Sequence, residues 1–333
     1  VVISGGGLAG LSLGVALRCH GVPVTIHEAG RYPRHRVCGE FISGVDGKTL
    51  ENLGIAAAFG DALSHRAVVW YDRGRSFLRA ELPVAALGIS RYCLDERLRA
   101  IFIDAGGEIR TGSRARPIAF AGHVWAAGRR PQAGSWLGLK AHVRIETAAD
   151  LEMHSGSNGY VGLAAVEGGW TNVCGVVRVD RSIRAVAKDL MPRYLEQGGN
   201  AGLASVLRGS EWREGSFVSV AGFELGRQSV LDGVLSLGDA ESMIPPFTGH
   251  GMSMAFQAAE RVLPILLDWS RDRVSWSAAC SEARYQLRAA FRRRLAAAAL
   301  LHRFILNEGM REALGSMAAA GVLPFRRLLP LVR

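Results

Sequence analysis

Two glycine-rich corners carry residue types and spacings that could do chemistry. The first, Gly5-Gly6-Gly7-Leu8-Ala9-Gly10, follows the apolar run Val1-Val2-Ile3-Ser4 and leads into a helical stretch, Leu11 to His20. In this Gly-x-Gly-x-x-Gly spacing Gly5 permits a tight turn. Gly7, with Leu8 and Ala9 beside it, lets backbone approach a pyrophosphate, and Gly10 lets the helix pack close to the sheet. Unpaired N–H groups and the helix dipole favour negative charge at that N-terminus. Gly21-Val22-Pro23 turns the chain into a second strand, Val24 to Glu28, whose terminal acid is placed to accept hydrogen bonds from a ribose. The plainer alternative is an ordinary β-turn-α corner. Strand, helix, strand and acid in register argue for dinucleotide binding.

The second corner runs from Gly238-Asp239-Ala240 through Pro245-Pro246-Phe247-Thr248-Gly249-His250-Gly251-Met252 to Ala255. An apolar strand ends in Gly238-Asp239, which offers a carboxylate to a sugar or ribityl hydroxyl. Pro246 helps fix a turn, and Gly249 and Gly251 allow close backbone approach where a helix starts. That N-terminus, with Met252 in its first turn, would aim N–H groups at an anionic ligand such as a reduced flavin. His250 is a candidate catalytic cation there; a histidine satisfied by backbone carbonyls is the alternative. Asp239 alone reads as a turn residue. Beside the upstream fingerprint, flavin contact is the better reading.

The elements that must position these corners follow from pattern. Residues 45–60 suggest a short helix, and Ala67–Leu82 alternates like strands around Asp72-Arg73-Gly74. A helix spans Leu94 to Ile103, and Leu139–Val179 is strand-like with glycine turns at Gly156, Gly159 and Gly168-Gly169. Residues 182–208 are helical, Val234–Leu237 is a strand, and a helix runs from about Gly251 to Asp268. A longer one carries Leu287, Phe291, Leu295, Ala298, Leu301 and Ile305 on one face, with a stop at Asn307-Glu308-Gly309. The expectation is an α/β (α+β overall) protein: a Rossmann-like three-layer FAD-binding domain (1–44, 88–138, 232–270) interleaved with an antiparallel β-sheet substrate domain (45–87, 139–231). A helical C-terminal region, 271–333, follows.

Composition bounds the function. A chain of 333 residues exceeds one dinucleotide domain and suggests two lobes. Five cysteines lack paired metal-ligand spacing, so no metal and a reduced, cytoplasmic setting are expected. No signal peptide is visible, and no uncharged apolar run reaches about eighteen residues. The net charge is +10, concentrated beyond Ser281 in ten arginines: 284, 288, 292, 293, 294, 303, 311, 326, 327 and 333. That tail suits a peripheral contact with an anionic lipid surface on the inner membrane face; a solvated helix face is the plainer reading. No nucleic-acid motif accompanies the charge, so nucleic acid is excluded as a partner.

The Gly5–Glu28 unit and the Gly238–Ala255 segment resemble the FAD-binding motifs of the para-hydroxybenzoate hydroxylase-like flavoproteins, most closely the geranylgeranyl reductase-like branch. Pro33-Arg34-His35-Arg36-Val37-Cys38-Gly39-Glu40 is similar to that branch's Pro-x-x-x-x-Cys-Gly-Glu segment, and Ser90–Leu98 resembles its Arg-x-x-Leu/Phe-Asp-x-x-Leu helix start. The resemblance spans roughly residues 1–270. It implies FAD as cofactor, Arg91 near it, Cys38 on the reacting face, and NAD(P)H as a possible donor docking transiently. Three departures stand out. Ala127 sits where the family's middle acid belongs, though Arg129 and Arg130 could meet phosphates. Residues 110–127 are short for the meander usual there. Tyr160-Val161-Gly162-Leu163-Ala164-Ala165 keeps only the tyrosine of the lipid reductases' Tyr-x-Trp-x-Phe-Pro.

Other candidates remain open. Glu40 could donate a proton or touch substrate, or simply pair with Arg34 or Arg36; Arg36 is equally ambiguous between cofactor contact and ion pair. Phe41, Tyr160, Trp170 and Asn172 could wall an apolar pocket, although core packing is the plainer role for each. Flavin, where bound, either transfers hydride to a double bond or activates oxygen. The expected activity is FAD-dependent oxidoreduction of an apolar polyketide- or isoprenoid-like molecule, with monooxygenation ahead of double-bond reduction because the reductase pocket motif is largely lost. A halogenase lacks support, since its Trp-x-Trp-x-Ile-Pro motif is absent. A lipid-escort protein on the same fold has no need of the intact glycines, Glu28 and Asp239. The start inside the first strand, without Met, leaves a trimmed or decayed flavoprotein as a further reading.

Overall fold

A computed structural model describes residues 1–129, 134–228 and 232–320; Arg130, Arg326, Arg327 and Arg333 lie outside the described residues. The chain opens as β1 (Val2–Ser4), α1 (Leu8–Cys19) and β2 (Thr25–Glu28). Helix α1 starts three residues before the position its apolar pattern suggests, because Gly7 is an extended N-cap and the Leu11 N–H reaches its carbonyl at 2.9 Å. Next come β3 (Phe41–Ile42), α2 (Gly47–Asn52), β4 (Leu63–Asp72), β5 (Arg75–Gly88), α3 (Arg91–Asp104), β6 (Glu108–Thr111) and β7 (His123–Trp125). The middle of the chain supplies β8 (Trp136–Arg144), β9 (Leu151–Gly156), β10 (Gly159–Val166), β11 (Trp170–Arg178), α4 (Ala187–Gln197), α5 (Ala201–Gly209), β12 (Glu211–Trp212) and β13 (Val218–Ala221). The last part adds β14 (Gly226–Arg227), β15 (Leu235–Ser236), β16 (Ser242–Met243), α6 (Gly251–Ser270), α7 (Trp276–Leu306) and α8 (Glu308–Ala319).

The first sheet is parallel, in the order β15-β7-β1-β2-β6. Strand alternation gives it two unlike faces. Ile3 and Ile26 point at α1, where Gly10 and Gly14 leave room for them; a Cβ on Gly10 would also stand 2.0 Å from the Gly5 carbonyl oxygen. On the opposite side Ser4 meets His123 at 2.8 Å and His27 meets Ser113 at 2.8 Å, so segment 112–122 forms the third layer. The main core joins α1, α3, α6 and α7 to this sheet and includes Leu50, Leu53, Ile55, Ala58 and Phe59. Residues 45–60, placed with the second lobe by the sequence, pack on the first.

The second sheet has nine strands, with main order β12-β8-β11-β10-β9-β4-β5-β3 and β13 also paired to β8. Its pairings are antiparallel except for β4 with β9, which run parallel. Leu139, Ala141, Val143, Val161, Leu163 and Val173 pack under α4 and α5. The alternate residues therefore face inward, toward the first lobe. Among them Tyr160 lies beside Val176 and Gly138, Gly162 beside Cys174 and Lys140, and Ala164 beside Asn172 and His142.

Asn307 ends α7 and caps α8, accepting from the Met310 N–H at 3.0 Å. Two of the tail arginines are structural groups: buried Arg311 bonds Asp72 at 2.7 Å, and half-buried Arg294 bonds Gln257 at 2.8 Å. No helix among the described residues is long and apolar enough to cross a membrane.

Candidate functional site

The two glycine corners meet. Gly238 takes a left-handed φ of +62°, and a Cβ there would stand 3.1 Å from that of Ala9, so the Gly238-Asp239 turn abuts the first turn of α1. By helix geometry the N–H groups of Leu8, Ala9 and Gly10 have no carbonyl partner within α1. Gly7 leaves open backbone: the nearest atom to a Cβ there would be an Arg91 guanidinium nitrogen at 3.8 Å. Asp239 keeps a large accessible surface although protein surrounds it, as expected at the floor of a cleft. Burial raises its carboxyl above the ordinary value, while Arg91 and Arg129 pull it down.

Arg91 is held in place by ions. Its guanidinium grips Asp95 through bonds of 2.7 and 2.9 Å, and Asp95 also accepts from Arg36 at 2.8 Å. This bidentate pairing orients a cation beside the open Gly7 backbone. Glu28 is more constrained than a free ribose acceptor. It already accepts from the N–H groups of Gly6 (2.9 Å) and Gly30 (2.7 Å) and from Arg34 (2.7 Å), with Arg36 at 3.5 Å. Burial alone would raise its pKa, but these arginines and N–H groups hold it below the ordinary value. A ribose hydroxyl would share an oxygen with Arg34 or displace it. The Tyr32 hydroxyl donates to the Gly6 carbonyl, closing loop 30–36 over the turn.

The second corner is tied to the start of the second sheet. Gly249 is left-handed (φ +67°), and a Cβ on it would come within 2.9 Å of the Phe41 ring; its carbonyl accepts from the Ser43 N–H at 3.1 Å. His250 is buried and caps α6, its carbonyl accepting from Met254 N–H at 2.9 Å and Ser253 Oγ at 3.0 Å. The backbone at Gly251 is open, the nearest atom to a Cβ there being 3.9 Å away, and Met252 is buried behind it. Pro246 is exposed. A small pocket at Asp239 is lined in part by Glu241, Gly251, Leu287 and Phe291.

Cys38 is half-buried, and Gly39 beside it is exposed, with no atom within 4 Å of a Cβ. Burial raises the Cys38 thiol above its ordinary pKa against the pull of Arg91, so it stands as a thiol. Glu40 corrects its sequence reading. It is 0% exposed and bonds neither Arg34 nor Arg36. Its carboxylate accepts from the Arg91 N–H at 2.9 Å and meets His142 Nε2 at 2.5 Å and Lys140 Nζ at 3.3 Å. Burial would raise its pKa, but His142 and Lys140 lower it. Glu40 is thus an ionised acceptor with no proton to donate.

Lys140 Nζ also meets His35 Nδ1 at 2.9 Å. Burial, followed by Lys140 and His142, presses the His35 pKa down to about 3. His35, Glu40 and His142 offer ligand atoms within 4.8 Å of one another, and the ammonium of Lys140 sits against two of them, where a cation would go. Sequence reasoning missed Lys140 and His142. Their signal was a polar pair alternating with Leu139, Ala141 and Val143.

The pocket candidates separate. Tyr160 is buried with Met153, Val176 and Phe223; its ring lies edge-on to Phe247 at 6.2 Å and to His302 of α7 at 5.7 Å. Trp170 lies six positions along β11 from Val176, the partner of Tyr160, or about 20 Å away, and stacks with Arg144 at 4.3 Å. Tyr160 and Trp170 therefore do not wall one pocket. Phe41 stays with the apolar inner face, packed on Val68, Leu82, Ala86 and Ala164. Ala127 lies on the Gly5 turn: a Cβ on Gly5 would fall 2.2 Å from the Ala126 oxygen and 2.5 Å from the Ala127 Cα.

No protein-family model and no curated protein sequence matches the chain. Solved structures do. A p-nitrophenol 4-monooxygenase from Pseudomonas putida superposes with a TM-score of 0.79 at 13% identity, over 99% of this chain and 95% of its own. A flavin-dependent brominase gives 0.76 at 17% identity, over 99% and 92%. A geranylgeranyl bacteriochlorophyll reductase-like protein from Thermoplasma acidophilum gives 0.75 at 14% identity, over 99% and 94%. At 13–17% identity these superpositions show that the chain shares its overall fold with the three proteins.

Proposed function

We propose that this protein is an FAD-dependent oxidoreductase acting on an apolar small molecule, and that it works as a monooxygenase. The observation that carries this is that open backbone at Gly7 lies beside Arg91, while Asp239, under the pull of Arg91, shares a pocket with Gly251. An elongated dinucleotide suits such a cleft. The N–H groups of Leu8, Ala9 and Gly10, with Arg91, would hold its pyrophosphate, and Asp239 would accept from a ribityl hydroxyl. The N-terminus of α6, at Gly251 and Met252, would face the charged end of the ring. Bound there, the flavin supplies hydride transfer or oxygen activation.

The chain's own residues orient and exclude. Phe41 and the 245–251 loop join the second corner to the second sheet, whose inner face offers apolar surface at Trp70, Met153 and Tyr160. Cys38, protonated at the cleft wall, can hold or give a proton at Sγ. Double-bond reduction is the second reading, favoured by the superposition on the reductase-like protein. NAD(P)H as donor would dock at the surface, where Arg129 borders Asp239. The basic face of α7 is the candidate for peripheral lipid contact.

The test is the absorbance of the purified chain between about 300 and 550 nm, then NADPH addition in air. Flavin bands that bleach, with substrate-dependent oxygen uptake and a product heavier by one oxygen, support the monooxygenase. A product heavier by two hydrogens replaces it with the reductase. A colourless protein that takes up no added FAD overturns both.

A further inference from the structure

We propose that Lys140 and His142 are positioning residues for the cleft wall: from the inner face of the second sheet they grip the Glu40 carboxylate and so set the place of the Cys38–Gly39 turn. The contacts are short and wholly buried. Lys140 Nζ lies 3.3 Å from one Glu40 oxygen and His142 Nε2 lies 2.5 Å from the other, and all three side chains are 0% exposed. Glu40 adopts a φ of +52°, a left-handed conformation that costs energy for a residue with a Cβ and persists only where its surroundings hold it. The surroundings here come from both lobes. The Arg91 N–H of α3 donates to the Glu40 carboxylate at 2.9 Å, and the Ile89 N–H donates to the Glu40 carbonyl at 3.3 Å.

The same strands reach the neighbouring residue directly. Asn172 stands opposite His142 in the β8–β11 register and donates to the Cys38 carbonyl at 3.0 Å. Within the turn the Glu40 N–H donates to Cys38 Sγ at 3.5 Å. A lysine and a histidine on alternate strand positions would ordinarily face water. Here α4 and α5 cover the outer face and the first lobe covers the inner one, so the polar pair has no solvent side. A buried ammonium needs an anion, and Glu40 is the carboxylate it meets. The arrangement ties strands of the second sheet to a stretch of cleft wall that bears a thiol. It rests on these contacts alone and holds whichever ligand the cleft takes.

Hydrogen exchange and thiol alkylation on the full chain test this. In Lys140→Met the amides of residues 38–40 and of Arg91 are expected to exchange about tenfold faster, while β10 under α4 and α5 keeps its protection. Alkylation of Cys38 by iodoacetamide, followed against pH, discriminates further. Its midpoint should rise in Lys140→Met, which removes a nearby cation, and fall in Glu40→Gln, which removes a nearby anion. A merely packing role would not move the two midpoints in opposite directions. Unchanged exchange at 38–40, or midpoints that move together, overturns the proposal. If Lys140→Met does not fold, His142→Leu decides: loss of its bond to the Glu40 carboxylate should loosen residues 38–40, and unchanged exchange there again overturns it. The flavin spectrum of the wild-type chain judges the proposed function separately.

Discussion

On the inner face of the second sheet Lys140, His142 and Asn172 meet the Cys38–Glu40 turn through contacts of 2.5–3.3 Å, whereas Tyr160, Phe247 and His302 meet through ring separations of 5.7–6.2 Å. One β-pleat delivers Lys140, His142, Asn172 and Tyr160 by the same two-residue alternation, while Phe247 comes from the second glycine corner and His302 from α7. The difference lies in what each demands of its partners. A buried ion pair tolerates no lone member, because the survivor keeps its charge without solvent or counter-ion. An aromatic cluster loses contact area in proportion to what is removed. The polar group therefore fixes a position, and the aromatic group fills a volume.

The largest expected effect breaks the polar group. Glu40→Gln should cost about 3–5 kcal/mol in urea denaturation, since it strands Lys140; the Glu40→Gln/Lys140→Met double variant should recover most of that loss. Tyr160→Phe, in the aromatic group, should stay within about 1 kcal/mol of wild type. Equal costs for Glu40→Gln and Tyr160→Phe would erase the distinction.

Acid titration sharpens it. His302 is held down to about 4 from 6.5 by burial and then by Arg178. The unfolded chain takes up a proton in that window which the folded chain refuses, so this stability is full above pH 6.5 and is lost as pH falls towards 4. His302→Leu should flatten that slope, an effect of about 3 kcal/mol at most. His35 retains its own slope in the same window, and Glu40, whose pKa is lowered from 4.5, adds its loss only below that value. An unchanged slope in His302→Leu would show that His302 is not held neutral. The smallest effect belongs to Trp170→Ala, which loses its stack on Arg144. It should cost about 0.5–1 kcal/mol and leave substrate affinity unaltered, as a calorimetric titration can check.

The parts legible in the sequence were those whose cause is local. The Gly5, Gly7, Gly10 spacing and the Asp72-Arg73-Gly74 hairpin depend on neighbours a few residues away, whereas α3 starts at Arg91, three residues before the Leu94 its pattern suggests, because Ser90 caps it by accepting from the Cys93 N–H. Cys38 and Glu40 were singled out, but Lys140 and His142, which hold the Glu40 side chain, were not. Glu40 finds His142 and Lys140 only through strand register, about a hundred positions along the chain, while the nearby Arg34 and Arg36 are taken by Glu28 and Asp95. Polar residues alternating with Leu139, Ala141 and Val143 read as a solvated face; a sheet covered on both sides removes that option. His302 was hidden for a related reason. Its helix showed an apolar stripe, and only the packed structure puts an imidazole from α7 against Phe247 of the second glycine corner.

The order of strands in the first sheet has a consequence for biosynthesis. β1 emerges before the other strands of its sheet yet occupies the centre, and the sheet is completed by β15, while the turn abutting Ala9 arrives only with Gly238. Docking of the second corner onto Phe41 waits longer still, until Gly249 has left the ribosome. A nascent chain shorter than this can fold local hairpins and helices but cannot close the cleft. Until then the glycine loop stands ready with half of its site not yet made.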